Sequence, residues 1–62
     1  MPMTSKQMIK FLKQNGFIEI RQRGSHKFLE NPITKKQTTV PMHCKDLSKG
    51  LEQQILKDAG LK

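Results

Sequence analysis

One cysteine, Cys44, stands in the whole 62-residue chain, so no intramolecular disulfide can staple it. That usage fits a reducing compartment, and a cytoplasmic protein is expected. Spaced ligand pairs of the C-x-x-C or H-x-x-x-H kind are missing as well. Cys44, His43 and His26 form none, and no carboxylate cluster stands in for them, so neither a metal nor another cofactor is expected. No apolar run approaches the roughly 18 residues that a membrane span requires, and no signal peptide is expected. Internal repeats, low-complexity tracts and domain boundaries are also absent, which makes residues 1–62 a single domain.

Acidic side chains are scarce. Twelve Lys and Arg face five Asp and Glu, a net charge of +7 with a pI near 10.0. So strong a field on so small a surface favours polyanionic partners: nucleic acid, an acidic protein or, least of the three, an anionic membrane. Size limits the site in turn. A chain this short buries only about 60% of its unfolded surface, so an enclosed substrate cavity is not expected. A shallow patch suits a polymer better than a small metabolite.

What is present reads in order as helix, three strands, helix. Thr4 with Gln7 three residues on forms a capping box, and Met8, Phe11 and Leu12, with Ile9 beside them, give an amphipathic first helix. Lys6, Lys10 and Lys13 line its other face, read as solvated. Gly16 ends it in a Schellman motif that pairs Leu12 with Phe17, and Gly60 repeats that ending with Leu56 and Leu61. From Phe17 to Arg21 the residues alternate as a strand, with Ile18 and Ile20 on one side and Glu19, Arg21 and then Arg23 on the other. Gly24 supplies a tight turn into a second strand, His26–Glu30. Asn31-Pro32 opens a loop through Lys35-Lys36, and Gln37–Val40 is a third strand whose pairing Pro41 ends. Ser48 or Asp46 caps the last helix, in which Leu51, Ile55 and Ala59 share a face that Leu56 widens. The expected fold class is α+β, order α-β-β-β-α, with two helices on one face of a three-stranded antiparallel sheet. Phe28 and Leu29 point opposite ways. If Leu29 is the core residue, His26 and Phe28 share the open face; if Phe28 is buried, His26 leans toward the helices.

The chain is organised around Arg21-Gln22-Arg23-Gly24-Ser25-His26-Lys27. No other segment sets a histidine, a turn glycine, a hydroxyl and three cations so close together. The bland reading is a basic turn with an idle, solvated histidine.

The ordered set of motifs resembles the HicA family of small toxins, ribonucleases with a double-stranded-RNA-binding-domain-like fold that cut messenger RNA. The similarity runs through Ser5-Lys6-Gln7-Met8-Ile9-Lys10, Asn15-Gly16-Phe17 and the Arg21–His26 hairpin. It continues through Asn31-Pro32, the stretch from Thr39 to Leu47, and the closing Ile55-Leu56-Lys57-Asp58-Ala59-Gly60-Leu61. The family's catalytic histidine maps onto His26. Cys44 departs from the small residue, often glycine, that the family commonly carries after His43. The resemblance implies the toxin of a type II toxin–antitoxin system, a messenger-RNA endoribonuclease held inactive by a HicB-type antitoxin that covers the His26 hairpin. Any contact with DNA is indirect, through the antitoxin complex.

The hairpin chemistry accords with this. RNA carries its own nucleophile, so a general base for the 2′-OH and charge stabilisation are enough, without a metal. Histidine titrates nearest neutral pH, and Arg21, Arg23 and Lys27 are expected to favour its neutral, base-competent form. The same three cations, with Lys35 and Lys36, are the candidate phosphate contacts, and Ser25 is a candidate hydroxyl donor that more readily closes the turn. His43 is a second candidate acid or base, but it also suits an ordinary loop residue and is assigned no role. Two other readings compete. One is a non-catalytic double-stranded-RNA-binding module, for which charge matters and His26 does not. The other is a DNA-binding regulator, weakened by the lack of a recognition-helix pattern.

Overall fold

The structure is a computed structural model that describes residues 3–42 and 46–61; His43 and Cys44 lie outside the described residues. The first helix, α1 (Ser5–Gln14), begins as its spacing requires. Thr4 Oγ1 accepts from the Gln7 N–H at 3.1 Å while Gln7 Oε1 accepts from the Thr4 N–H at 2.9 Å. The reciprocal pair satisfies amide donors that a helix start leaves without partners. At the other end the Phe17 N–H donates to the Leu12 carbonyl at 3.0 Å and the Gly16 N–H to the Lys13 carbonyl at 3.1 Å. Gly16 takes φ 91°, a conformation a side chain disfavours. The second helix, α2 (Lys49–Asp58), is capped by Ser48 rather than Asp46, its Oγ accepting from the Leu51 N–H at 3.1 Å. It closes with the same grammar, Leu61 N–H to Leu56 carbonyl at 2.9 Å and Gly60 N–H to Lys57 carbonyl at 3.0 Å.

Between the helices lie β1 (Ile18–Arg23), β2 (His26–Glu30) and β3 (Gln37–Pro41), an antiparallel sheet in the order β1-β2-β3. Together they form the expected α+β architecture. The choice between Phe28 and Leu29 is resolved by packing: Leu29 is fully buried, with Met8, Ile9 and Leu12 of α1, Phe17, Val40, Leu47, Ile55 and Ala59 in one core. Two polar anchors fix the helices on that face. Thr38 Oγ1 donates to the Ile55 carbonyl at 3.1 Å and Ser5 Oγ donates to the Pro41 carbonyl at 2.6 Å. Both helices meet the sheet chiefly through β3.

Two expectations about the strands need correction. Ile18 and Glu19 pair with Glu30 and Leu29, yet Phe28 pairs with Arg21, so Ile20 is an extra residue, a β-bulge. The bulge inverts the alternation on its N-terminal side. Glu19 therefore lies opposite Leu29 on the helix-covered face instead of sharing a face with Arg21 and Arg23, and Ile18 and Ile20 are 51% and 43% exposed. Pro41, in turn, does not end the pairing. It stands opposite His26, and the next ladder bond runs from the Met42 N–H to the Ser25 carbonyl. Antiparallel pairs alternate between bonded and non-bonded, so His26 and Pro41 form a non-bonded pair where a missing N–H is harmless.

Candidate functional site

Strand alternation sorts the hairpin onto two surfaces. His26, Phe28 and Glu30 of β2 face away from the helices, since Leu29 faces them. The register then carries Arg23 and Pro41 to either side of His26, and Arg21 and Thr39 to either side of Phe28. Residues directly opposite on one face have their Cβ atoms about 4.5–5.5 Å apart. His26 is thus flanked by the Arg23 side chain, and Arg21 spreads over the Phe28 ring with its guanidinium carbon 4.7 Å from the centroid. That contact holds a long cation flat against the sheet by cation–π attraction. Among the described residues, no carboxylate lies within ion-pair distance of Arg21 or Arg23. Their charge is available to a ligand.

The turn before His26 is built locally. Gly24 sits at φ 59°, and the Gln22 side-chain amide donates to its carbonyl at 3.0 Å. Ser25 is half-buried and its carbonyl receives the Met42 N–H, an observed turn-anchoring contact.

The other cations named from the sequence are not brought to His26. Lys27 points to the helix side, where its Nζ lies 2.8 Å from Glu19 Oε1 while Lys13 Nζ lies 2.6 Å from Glu19 Oε2. The hydrogen bonds from Lys13 and then Lys27 hold the Glu19 carboxyl well below its ordinary 4.5, at about 2. Lys35 and Lys36 are exposed on the loop after Glu30, at the far end of β2 from His26, roughly 13 Å away for four strand residues. That loop is braced by Asn31, whose Oδ1 accepts from the Ile33 and Thr34 amides and whose own amide and carbonyl bond Lys36 and Lys35.

One part of the surface was missed entirely in the sequence. α2 overhangs the β3 edge and, with the open face, forms a cleft of about 440 Å³. His26, Thr39 and Pro41 supply its sheet side. Leu51, Ile55, Gln54 and Asp58 supply its helix side, with the Gln54 side-chain amide donating to Asp58 Oδ1 at 2.8 Å. The available signal was Asp58 itself, an acid in the last turn of a helix, where the macrodipole disfavours it.

Fold and surface together define a class: a small basic α+β domain that displays a histidine between an arginine and a proline on an open sheet face, beside a cleft. A family profile described as the HicA toxin of bacterial toxin–antitoxin systems matches residues 5–61. The chain belongs to that family. It is a toxin of a toxin–antitoxin system and has an antitoxin as its partner. A search of curated proteins finds no match. Among the described residues no helix is long and apolar enough to cross a membrane.

Proposed function

We propose that the protein is a metal-independent endoribonuclease that cleaves messenger RNA, with His26 as the general acid/base. The single observation that carries this reading is the Arg23–His26 pair on the open face with Arg21 held beside it over Phe28. His26 takes the proton of a 2′-OH, and the freed oxygen attacks the adjacent phosphorus to close a 2′,3′-cyclic phosphate. The P–O5′ bond breaks, and the leaving 5′-oxygen takes the proton back from His26. Arg21 and Arg23 hold the scissile phosphate and the negative charge that grows on it. Phe28, half-buried under Arg21, offers an aromatic edge to a neighbouring base.

The test is degradation of messenger RNA by purified protein in excess chelator. His26→Ala is expected to lower cleavage by about 10²–10⁴-fold, the usual worth of a positioned proton transfer, with its circular dichroism unchanged. A folded His26→Ala protein that still cuts at the parental rate ends the assignment. Wild-type protein that binds duplex RNA without cutting any RNA favours the double-stranded-RNA-binding module instead.

The antitoxin in this reading is of the HicB type and covers the hairpin. The site is open and basic, so inhibition in this reading comes from an acidic surface laid over Arg21, Arg23 and His26. Co-expression of the neighbouring gene product should restore growth, and a complex that leaves His26 solvent-exposed would refute occlusion.

A further inference from the structure

We propose that the cleft between α2 and the open face is a recognition pocket for a guanine base of single-stranded RNA, read by Asp58 and Gln54. The inference rests on the ribonuclease reading and adds a specificity to it. His26 lies on the rim of the cleft. With the scissile phosphate at His26, the base of the adjoining nucleotide, one sugar away, falls within reach of the cavity. At about 440 Å³ the cleft has the size of a small-molecule pocket. Pro41, Leu51 and Ile55 give it apolar walls for the faces of a ring.

Its polar end is wrong for a phosphate and right for a base edge. Asp58 is a carboxylate inside a surface that otherwise attracts polyanions, so the RNA backbone runs past Arg21 and Arg23 and not past Asp58. The bond to Asp58 from Gln54 one turn back braces the helix surface, yet the position of Asp58 is unfavourable. It occupies the last turn of α2, where a negative charge opposes the dipole. An ionised carboxylate only accepts hydrogen bonds. Asp58 Oδ1 already takes one amide hydrogen of Gln54 at 2.8 Å, which orients both side chains and leaves acceptor capacity on both carboxylate oxygens together with the second amide hydrogen of Gln54. Guanine is the base whose Watson–Crick edge sets two N–H donors side by side, on ring nitrogen 1 and the exocyclic amine, next to an acceptor oxygen. Adenine, cytosine and uracil each offer one donor position beside acceptors. Two donors meet the carboxylate and the acceptor oxygen meets the Gln54 amide, a pairing that single-stranded RNA can present once a base is unstacked.

The experiment measures cleavage of short single-stranded RNAs that are identical except for one guanine replaced by adenine, cytosine or uracil. Wild-type protein is expected to cut beside guanine roughly tenfold faster or more, the low end of what a good paired contact discriminates. In Asp58→Asn that ratio should collapse to about twofold or less, and Gln54→Leu should reduce it by removing the same constellation from the other side. Fluorescence anisotropy of the same RNAs on His26→Ala protein supplies a readout independent of cutting, with guanine RNA bound more tightly. Cleavage that is blind to base identity, or an Asp58→Asn protein that keeps the full guanine preference, overturns the pocket and leaves the ribonuclease reading standing. No cleavage by wild type, with guanine-selective binding that Asp58→Asn abolishes, overturns the ribonuclease reading and leaves the pocket. Neither cleavage nor selective binding overturns both.

Discussion

The two faces of the sheet are made from the same strands and obey different rules. On the covered face, Leu29, Thr38 and Val40 are buried, no buried side-chain polar atom among the described residues lacks a hydrogen-bond partner, and Glu19 is matched by two lysines. On the open face, Arg21 and Arg23 carry charge that no carboxylate among the described residues neutralises, and His26 stands exposed between Arg23 and Pro41. Stability sits on one side and unsatisfied electrostatics on the other. A 62-residue domain has too little interior to hide a site. It separates the two tasks by the pleat of a strand.

The largest expected effect comes from breaking that separation on the covered side. Leu29→Ala removes a fully buried side chain from the centre of the core, a change that costs about 2–5 kcal/mol. A single core of this size rarely supplies more than ~3–5 kcal/mol in all, so the variant is expected to be largely unfolded by circular dichroism at 25 °C. Its neighbour Phe28→Ala, on the other face, should melt cooperatively near the parental temperature while binding RNA more weakly. A cooperative, near-parental melt for Leu29→Ala would refute the division.

The next test compares cations. If Arg23 contacts phosphate, Arg23→Gln should reduce the slope of log affinity against log salt by about 0.7–0.9 of a unit. Lys27→Gln, already engaged with Glu19 on the covered face, should leave the slope near its parental value. Equal losses for the two would mean that the faces do not divide the charge as their geometry does.

A third experiment targets the bulge. Deleting Ile20 removes the extra residue and keeps Glu19 opposite Leu29 and Arg21 opposite Phe28. An ordinary deletion in a strand flips every side chain beyond it; this one should not. The melting temperature is expected within about 4–8 °C of the parent, the shift that about 1 kcal/mol makes in a domain this small. An unfolded deletion variant would show that the bulge itself is required.

The smallest effect is the pH dependence of the Glu19 cluster. Pairing holds the folded carboxyl at about 2, below its ordinary 4.5. The pair therefore stabilises the fold above pH 4.5, and that contribution is lost as pH falls from there toward 2. Because the cluster is partly exposed and screened by salt, Glu19→Gln should change acid unfolding only slightly, flattening it in that window. Identical acid titrations of the two proteins would contradict the shift.

These contrasts also explain how much the sequence could reveal. The helix ends were legible because capping is short-range: Thr4 with Gln7, Leu12 with Phe17 around Gly16, and Leu56 with Leu61 around Gly60 are patterns within six residues. The hairpin candidates Arg21, Arg23 and His26 were legible because they lie close in the chain and the turn keeps them close in space. Phe28 against Leu29 was not, since two adjacent apolar residues satisfy either alternation. Nothing in Ile18-Glu19-Ile20 announces a bulge either, and with it went the position of Glu19. Lys27 was grouped with His26 by sequence distance of one, the separation that puts two strand residues on opposite faces. Gln54 and Asp58 escaped notice because their relation to His26 depends on where α2 crosses β3, a packing outcome and not a motif.

The pleat of β2 has an evolutionary consequence. His26, Phe28 and Glu30 project to one side while Lys27 and Leu29 project to the other, so residues that fold the chain and residues of the proposed site are interleaved letter by letter and yet separable. If the proposed site is the working surface, drift at the even-numbered positions of β2 would alter what the toxin attacks or which antitoxin fits it, without touching the odd-numbered Leu29 that the core buries. A lineage under pressure from a co-evolving inhibitor has, in five residues, a surface it can rewrite and a foundation it can leave alone.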